Sequence, residues 1–235
     1  TLITFSIVCI IYGARSKSLI YLVSAVLFYV YFKKISLSYT RIFFITLIGV
    51  FTFYGLYAFY ITKSLNNELG TGNTQAQLKL MQNPYNPLEL LYYGRLDFFI
   101  GIEAVKDAPI FGHGSWAKDK TGKYMALSRE LYQRDNVTDK GVIPSHSILI
   151  SSWLYAGVIG FIAILTMFIF ITKKFIYIYK NSEINLMPVL IVLFIGFIWN
   201  FFFSPFGHLR TTVPLVIALI TTLYNKTIYN EKYIS

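Results

Sequence analysis

His146 is the side chain in this sequence that is best placed for acid–base chemistry. It follows Pro144-Ser145, two residues that favour a helix start, and the most apolar segment of the chain, Ile148–Ile171, comes directly after it. The sequence therefore predicts that His146 lies on the first turn of a membrane-spanning helix. Because the positive end of a helix favours an anion such as phosphate and disfavours an imidazolium, His146 is expected to be neutral and able to accept a proton. The alternative is an interfacial histidine without a chemical role.

Six apolar segments must position this residue, and each is a candidate to cross a membrane. Hydrophobic residues make up 55% of the 235 positions and charged residues only 14%, which leaves too little polar surface for a soluble globule. None of the segments contains Asp, Glu, Lys or Arg, and this absence counts against an ion-coupled transporter. The predicted fold is therefore an all-α polytopic membrane protein with about six transmembrane helices. The segments are Leu2–Tyr12, Leu19–Phe32, Ile42–Ile61, Ile148–Ile171, Leu186–Phe203 and Thr212–Tyr224.

The segments divide the chain into three regions. Residues 1–62 are expected to hold three transmembrane helices, residues 63–145 one large loop, and residues 146–235 three more transmembrane helices before a cytoplasmic C-terminus. The sequence begins with Thr1 rather than Met, and the first apolar segment follows at once without a signal-peptide pattern. We therefore expect the chain to be a C-terminal fragment of a longer protein with the first helix truncated.

The distribution of charge predicts the orientation and argues against a nucleic-acid partner. The net charge is +10, but the loop of residues 63–145 carries ten basic and nine acidic residues. Basic clusters near residues 33–41, 173–180 and 226–232 all fall on the opposite side, which the positive-inside rule makes the cytoplasm. Arg15 and Lys17 fall on the outer side and violate the rule.

The large extracytoplasmic loop is expected to be partly helical. Gly94–Asp107 has the apolar periodicity of a helix, with Phe99 on its apolar side, and Pro109–Gly114 follows as a tight glycine turn. The stretch Lys118–Val142 is charged and is predicted to be mobile.

Three features of this region resemble the superfamily of O-antigen ligases and O-antigen polymerases, which are glycosyltransferases of the bacterial inner membrane. Arg95 opens a helix in the large loop, Pro109–Gly114 has the pattern Pro-x-x-Gly-x-Gly, and ten residues separate His146 from Gly157. The resemblance covers about Phe43–Phe170.

The resemblance implies a transfer that needs no metal or other cofactor. A glycan would move from an undecaprenyl-diphosphate carrier to a hydroxyl of a second glycan at the periplasmic face of the inner membrane. Arg95 would bind the diphosphate and His146 would act as general base. His113 could touch the diphosphate or serve only as a turn residue, and His208 with Arg210 could complete a cationic pocket, unless Arg210 merely extends to the membrane interface.

Three functions are compatible with these residues. The first is polymerisation of O-antigen or capsular repeat units, which is favoured because Phe99 stands where the ligases carry a leucine. The second is a ligase that transfers the glycan to lipid A core or to protein, and the third is a non-catalytic component of polysaccharide translocation. The implied partners are the lipid-linked donor, an acceptor glycan or lipid A core, membrane lipids and a chain-length regulator protein.

Overall fold

The structure, a computed structural model, describes residues 1–12, 14–34, 38–70, 72–133, 141–204, 207 and 211–233. Over these residues the chain is helical, and its only extended pairing is an isolated antiparallel bridge between Lys118 and Val142. The prediction of an all-α protein is confirmed for this part of the chain. The helices are α1 (Leu2–Ile11), α2 (Arg15–Phe32), α3 (Tyr39–Leu65), α4 (Gly72–Leu80), α5 (Pro87–Tyr93), α6 (Leu96–Asp107), α7 (Lys123–Tyr132), α8 (Ile148–Asn181), α9 (Met187–Phe203) and α10 (Thr212–Tyr233).

Each of the six predicted apolar segments coincides largely with a helix, namely α1, α2, α3, α8, α9 and α10. Within the described residues, α8 is the one helix that is both long and apolar enough to cross a membrane, and α9 is a shorter apolar helix. One membrane span is therefore supported by length and composition. The other five spans stay predictions.

The chain forms two compact units, Thr1–Gly94 and Arg95–Ser235. In the first unit, α1 packs on α2, and Ser6 Oγ donates a 3.0 Å hydrogen bond to the carbonyl oxygen of Ser18. Arg15 Nη2 donates a 2.6 Å hydrogen bond to Gln77 Oε1 of α4, so this exception to the positive-inside rule has a partner in the predicted outer loop. The three-region division follows the predicted sides of the membrane and stays a prediction.

A small core joins α3 and α4 within the first unit. It consists of buried side chains at the end of α3 and along α4, which pack together as one cluster. The segment between Leu65 and Asn86 thus contains a helix that is held by apolar contacts rather than an extended linker. The buried members are Tyr57, Tyr60, Ile61, Leu78 and Met81.

The second unit is built on α8, which contacts α9, α10 and α6. Aromatic rings fill the α8–α9 contact, where Phe175 stacks on Phe194 with ring centroids 3.7 Å apart. Near its start, α8 packs on α6, and a Cβ atom at Gly101 would lie 3.0 Å from Ile150 Cγ2. This close approach requires a small residue such as glycine at this position of α6. Helix α6 begins two residues later than predicted, and Phe99 is 36% exposed rather than part of the apolar core.

The stretch Lys118–Val142 differs from its prediction. Asp119 N donates to Gly141 O at 2.5 Å and Ile143 N donates to Ala117 O at 2.9 Å, which ties the two ends of the stretch together. Asp119 Oδ2 also accepts hydrogen bonds from the first amides of α7, those of Tyr124 and Met125. The stretch therefore contains a helix that was not predicted, Lys123–Tyr132, and its mobility stays a prediction. Residues 134–140 lie outside the described residues.

Candidate active site

Helix α8 starts at Ile148, with Ser147 as its N-cap. Ser147 Oγ accepts a hydrogen bond from the amide of Ile150 at 3.3 Å and lies 3.2 Å from Phe201 O, to which it donates. His146 consequently lies one residue before the cap. The prediction that it occupies the first turn is wrong, because Ser147 rather than Ser145 provides the cap, and Ser145 Oγ instead pairs with Ser151 Oγ at 2.8 Å.

The imidazole of His146 lies against a carboxylate. His146 Nδ1 is 2.6 Å from Asp97 Oδ2, although the oxygen lies off the direction of a ring N–H bond. The other oxygen, Asp97 Oδ1, accepts a 2.9 Å hydrogen bond from the hydroxyl of Tyr132 at the end of α7. The Asp97 side chain is 17% exposed and that of His146 is 45% exposed. Since Nδ1 is buried, the exposed part of the ring lies away from the carboxylate.

Arg95 is the N-cap residue of α6, two residues before Asp97. Its guanidinium carbon is 5.3 Å from the ring centroid of Trp199 and 5.5 Å from that of Phe203, both near the end of α9. Cation–π contacts of this kind attract a guanidinium to aromatic rings without neutralising its charge.

These contacts place Arg95 and His146 in the same part of the second unit. Arg95 is two residues from Asp97, which touches His146. Ser147, next to His146, is hydrogen-bonded to Phe201, which lies in the chain between Trp199 and Phe203, the two residues whose rings contact Arg95. The start of α6, the start of α8 and the end of α9 therefore meet at one point. The structure thus links the two residues through their neighbours, and their chemical roles remain predictions.

Helix α7 is fixed on α6 at both of its ends. Asp107 at the end of α6 accepts hydrogen bonds of 2.5 Å from Lys123 Nζ and from the Tyr124 hydroxyl at the start of α7. These bonds hold the pKa of Asp107 below its usual value, while burial and the neighbouring Asp107 carboxylate raise the pKa of Tyr124. Because this end is anchored, Tyr132 at the other end is positioned against Asp97.

The remaining predicted residues are not part of this arrangement as described. His113 Nε2 lies 2.7 Å from Ala104 O, and its ring meets that of Tyr124 edge-on. Ala104 is nine residues from Arg95, which is about 13 Å at 1.5 Å per helical residue. His208 and Arg210 lie outside the described residues. The roles proposed for these three residues stay predictions, as does the absence of a metal.

The glycine turn and the glycine of α8 form an interlocked pair. Helix α8 is broken at Ala156 (φ −128°, ψ 15°) and Gly157 (φ 62°, ψ −155°). The turn docks into the break, where His113 N donates to Leu154 O at 2.6 Å and Val158 N donates to Ile110 O at 3.1 Å. A third bond of 2.7 Å runs from the Trp153 indole N–H to the carbonyl oxygen of Pro109.

Both glycines of this pair are required by space. A Cβ atom at Gly157 would lie 1.9 Å from the carbonyl oxygen of Ile110. The backbone conformation of Gly157 is also one that only glycine adopts readily. A Cβ atom at Gly112 would lie 2.7 Å from Leu154 O. The Pro-x-x-Gly-x-Gly turn and Gly157 therefore form one structural contact.

Sequence reasoning missed the partners of the two main residues. Asp97 and Tyr132 are 35 residues apart, and no periodicity links them. Asp97 did carry a weak signal, because it is a carboxylate two residues after the arginine and in the first turn of its helix. Trp199 and Phe203 read as ordinary residues of an apolar span.

A sequence model of the O-antigen ligase family matches residues 1–165. The chain belongs to the O-antigen ligase family. The matched region of this O-antigen ligase family member includes Arg95, the glycine turn, His146 and Gly157, and it extends further toward the N-terminus than the motifs alone indicated. The superfamily resemblance is thereby confirmed, and with it a membrane-associated protein of the glycosyltransferase type that acts in polysaccharide biosynthesis. Neither curated proteins nor solved structures yield a match to the chain.

Proposed function

We propose that this protein moves a glycan from an undecaprenyl-diphosphate carrier to a hydroxyl of an acceptor glycan, in the polymerisation of O-antigen or capsular repeat units. One observation carries the proposal. The imidazole of His146 is backed by the Asp97 carboxylate at 2.6 Å, close to a guanidinium that is held on aromatic rings. A base for the hydroxyl and a cation for the diphosphate are what an attack on a diphosphate-activated sugar requires.

His146 acts as the base in this proposal. The acceptor hydroxyl attacks the anomeric carbon of the donor, a new C–O bond forms, and the bond from that carbon to the diphosphate oxygen breaks. The hydroxyl proton passes to Nε2, the ring nitrogen away from Asp97. The carboxylate then stabilises the imidazolium that forms, much as the aspartate does in a serine hydrolase triad.

Arg95 acts on the other half of the reaction. The bonding electrons of the broken C–O bond leave with the diphosphate, whose negative charge grows as the bond breaks. A guanidinium can donate two parallel hydrogen bonds to phosphate oxygens and offset this charge. Its contacts with the rings of Trp199 and Phe203 position the guanidinium before the substrate arrives.

The proposed setting is the bacterial inner membrane, with the loop of residues 63–145 in the periplasm. The hydrogen bond of Arg15 to Gln77 supports this topology, because it gives the exceptional arginine a partner in the loop. The proposed partners are the lipid-linked donor, the acceptor glycan, surrounding lipids and a chain-length regulator protein. We propose that no metal takes part, since Arg95 supplies a positive charge for the leaving group.

Ligation to lipid A core is the second candidate, and it is favoured by the family that matches, which is described as O-antigen ligase. Polymerisation is favoured by Phe99, which replaces the leucine expected in ligases. Both reactions use the same donor and the same two residues, so they differ in the acceptor.

The test is the surface glycan of cells that lack the protein and are complemented with wild type, Arg95→Ala or His146→Ala at equal membrane abundance. The control is Arg129→Ala, which removes an exposed arginine of α7 in the same loop. A single repeat unit on lipid A core in both site variants supports a polymerase. No repeat on the core together with accumulation of lipid-linked polymer supports a ligase, and normal glycan in both variants refutes the catalytic assignment.

A further inference from the structure

The break in α8 lies inside an apolar helix, where unpaired backbone groups are costly. A regular helix would bond Val158 N to Leu154 O, and the break at Gly157 separates the two. The glycine turn restores both bonds, because Ile110 O accepts from Val158 N and Leu154 O accepts from His113 N. A helix break inside a membrane requires such replacement partners, because no water is present to bond the freed backbone groups.

The position of the break along α8 can be compared with the thickness of a bilayer. The apolar part of the helix ends at Lys173 and Lys174. About 20 helical residues cross the hydrocarbon layer, which places its other boundary near Trp153. Val158 is five residues further in, or about 7 Å. The turn bonded to it therefore lies at the edge of the hydrocarbon layer and not in bulk water.

The tip of the turn is apolar and uncovered. Phe111 is 87% exposed, Ile110 61% and Trp116 64%. They continue an exposed apolar surface of α8 itself, where Ile159 and Ile162 also face outward. An uncovered apolar tip is unfavourable in water, and it is favourable beside a helix surface that faces lipid.

We propose that residues 109–116 form a membrane-embedded turn whose tip, Ile110, Phe111 and Trp116, is covered by the acyl chains of bilayer lipids. The loop that carries Arg95 is thereby held to the membrane at a third point besides its two ends. The proposal rests on the docking of the turn on α8 and is independent of the transferase mechanism.

The test is site-directed spin labelling of the protein reconstituted in phosphatidylethanolamine–phosphatidylglycerol vesicles. Cys9, the single cysteine, is first replaced by serine, and a nitroxide is then attached to Phe111→Cys or, as a second tip position, Ile110→Cys. The reference positions are Ile159→Cys, an exposed residue of α8 next to Val158 and therefore at a similar depth, and Lys120→Cys, an exposed loop residue. The measurement is the collision rate of each label with oxygen, which concentrates in lipid, and with a water-soluble nickel chelate.

We expect the labels at both tip positions to resemble Ile159, with frequent oxygen collisions and rare nickel collisions. Frequent nickel collisions, as at Lys120, would overturn the proposal, because the tip would then face water. Rare collisions with both reagents would also overturn it, since protein rather than lipid would cover the tip.

Discussion

Replacing Asp97 by asparagine removes the charge beside His146 and keeps the size of the side chain. Asp97 Oδ2 lies 2.6 Å from His146 Nδ1, and Tyr132 can still donate to the amide oxygen. The variant therefore isolates the electrostatic contribution of the carboxylate to the imidazolium that forms during proton transfer.

The expected effect follows from the distance and the exposure. At 2.6 Å, two unit charges interact by about 6 kcal/mol at an effective dielectric constant of about 20, and by about 1.6 kcal/mol in water. The His146 side chain is 45% exposed, so the value lies near the lower end. A loss of about 2 kcal/mol corresponds to a roughly 30-fold lower kcat.

The assay is steady-state transfer with purified protein and lipid-linked donor, with kcat and KM measured separately. The matched control is Glu103→Gln, which also replaces a carboxylate of α6 by its amide, at an exposed position where the partner is Lys106 instead of a histidine. We expect a lower kcat with little change in KM for Asp97→Asn only. An unchanged kcat for Asp97→Asn, or an equal loss in both variants, would refute the assigned role of Asp97.

Three further predictions concern the supports of the site. Gly112→Ala should lower the melting temperature by several degrees, because the added Cβ atom would clash with Leu154 O. Gly114 has a similar positive φ but open space around it, so Gly114→Ala should lower the melting temperature less in the same thermal scan. Tyr132→Phe should lower kcat by a few-fold in the transfer assay, since it removes one hydrogen bond that orients the catalytic carboxylate. The hydrogen bonds to Asp107 hold its pKa below the unfolded value of about 4, so its carboxylate stabilises the fold above that value. The difference in melting temperature between wild type and Asp107→Asn should therefore be present at pH 7 and vanish as the pH falls through the depressed pKa.

The helices were predictable because the apolar runs are long and their charges lie at the ends. Each of the six runs became a helix, and α8, which is uninterrupted by charge from Ile148 to Thr172, is the clearest membrane span. Arg95, the glycine turn and His146 were found from types and spacing. Local pattern suffices for such features, because each depends on neighbours along the chain.

The contacts between segments could not be predicted. The pairing of His146 with Asp97 joins residues 49 apart in the chain, and no periodicity records it. The start of α8 was misplaced because Ser145 and Ser147 are equally good caps by type, and only the contact with Phe201 distinguishes them. Helix α7 was missed because its stretch is polar, and its order comes from the Asp119 cap and the pairing of its flanks.

The most direct test of the proposed chemistry is a single-turnover reaction of purified His146→Ala with lipid-linked donor and saturating acceptor. The quantity measured is the rate of undecaprenyl diphosphate release, with donor binding measured separately. We predict normal donor binding and a release rate lower by about a hundredfold or more, because a positioned general base contributes about 10²–10⁴-fold. Release at the wild-type rate would contradict the assignment of His146 as the base.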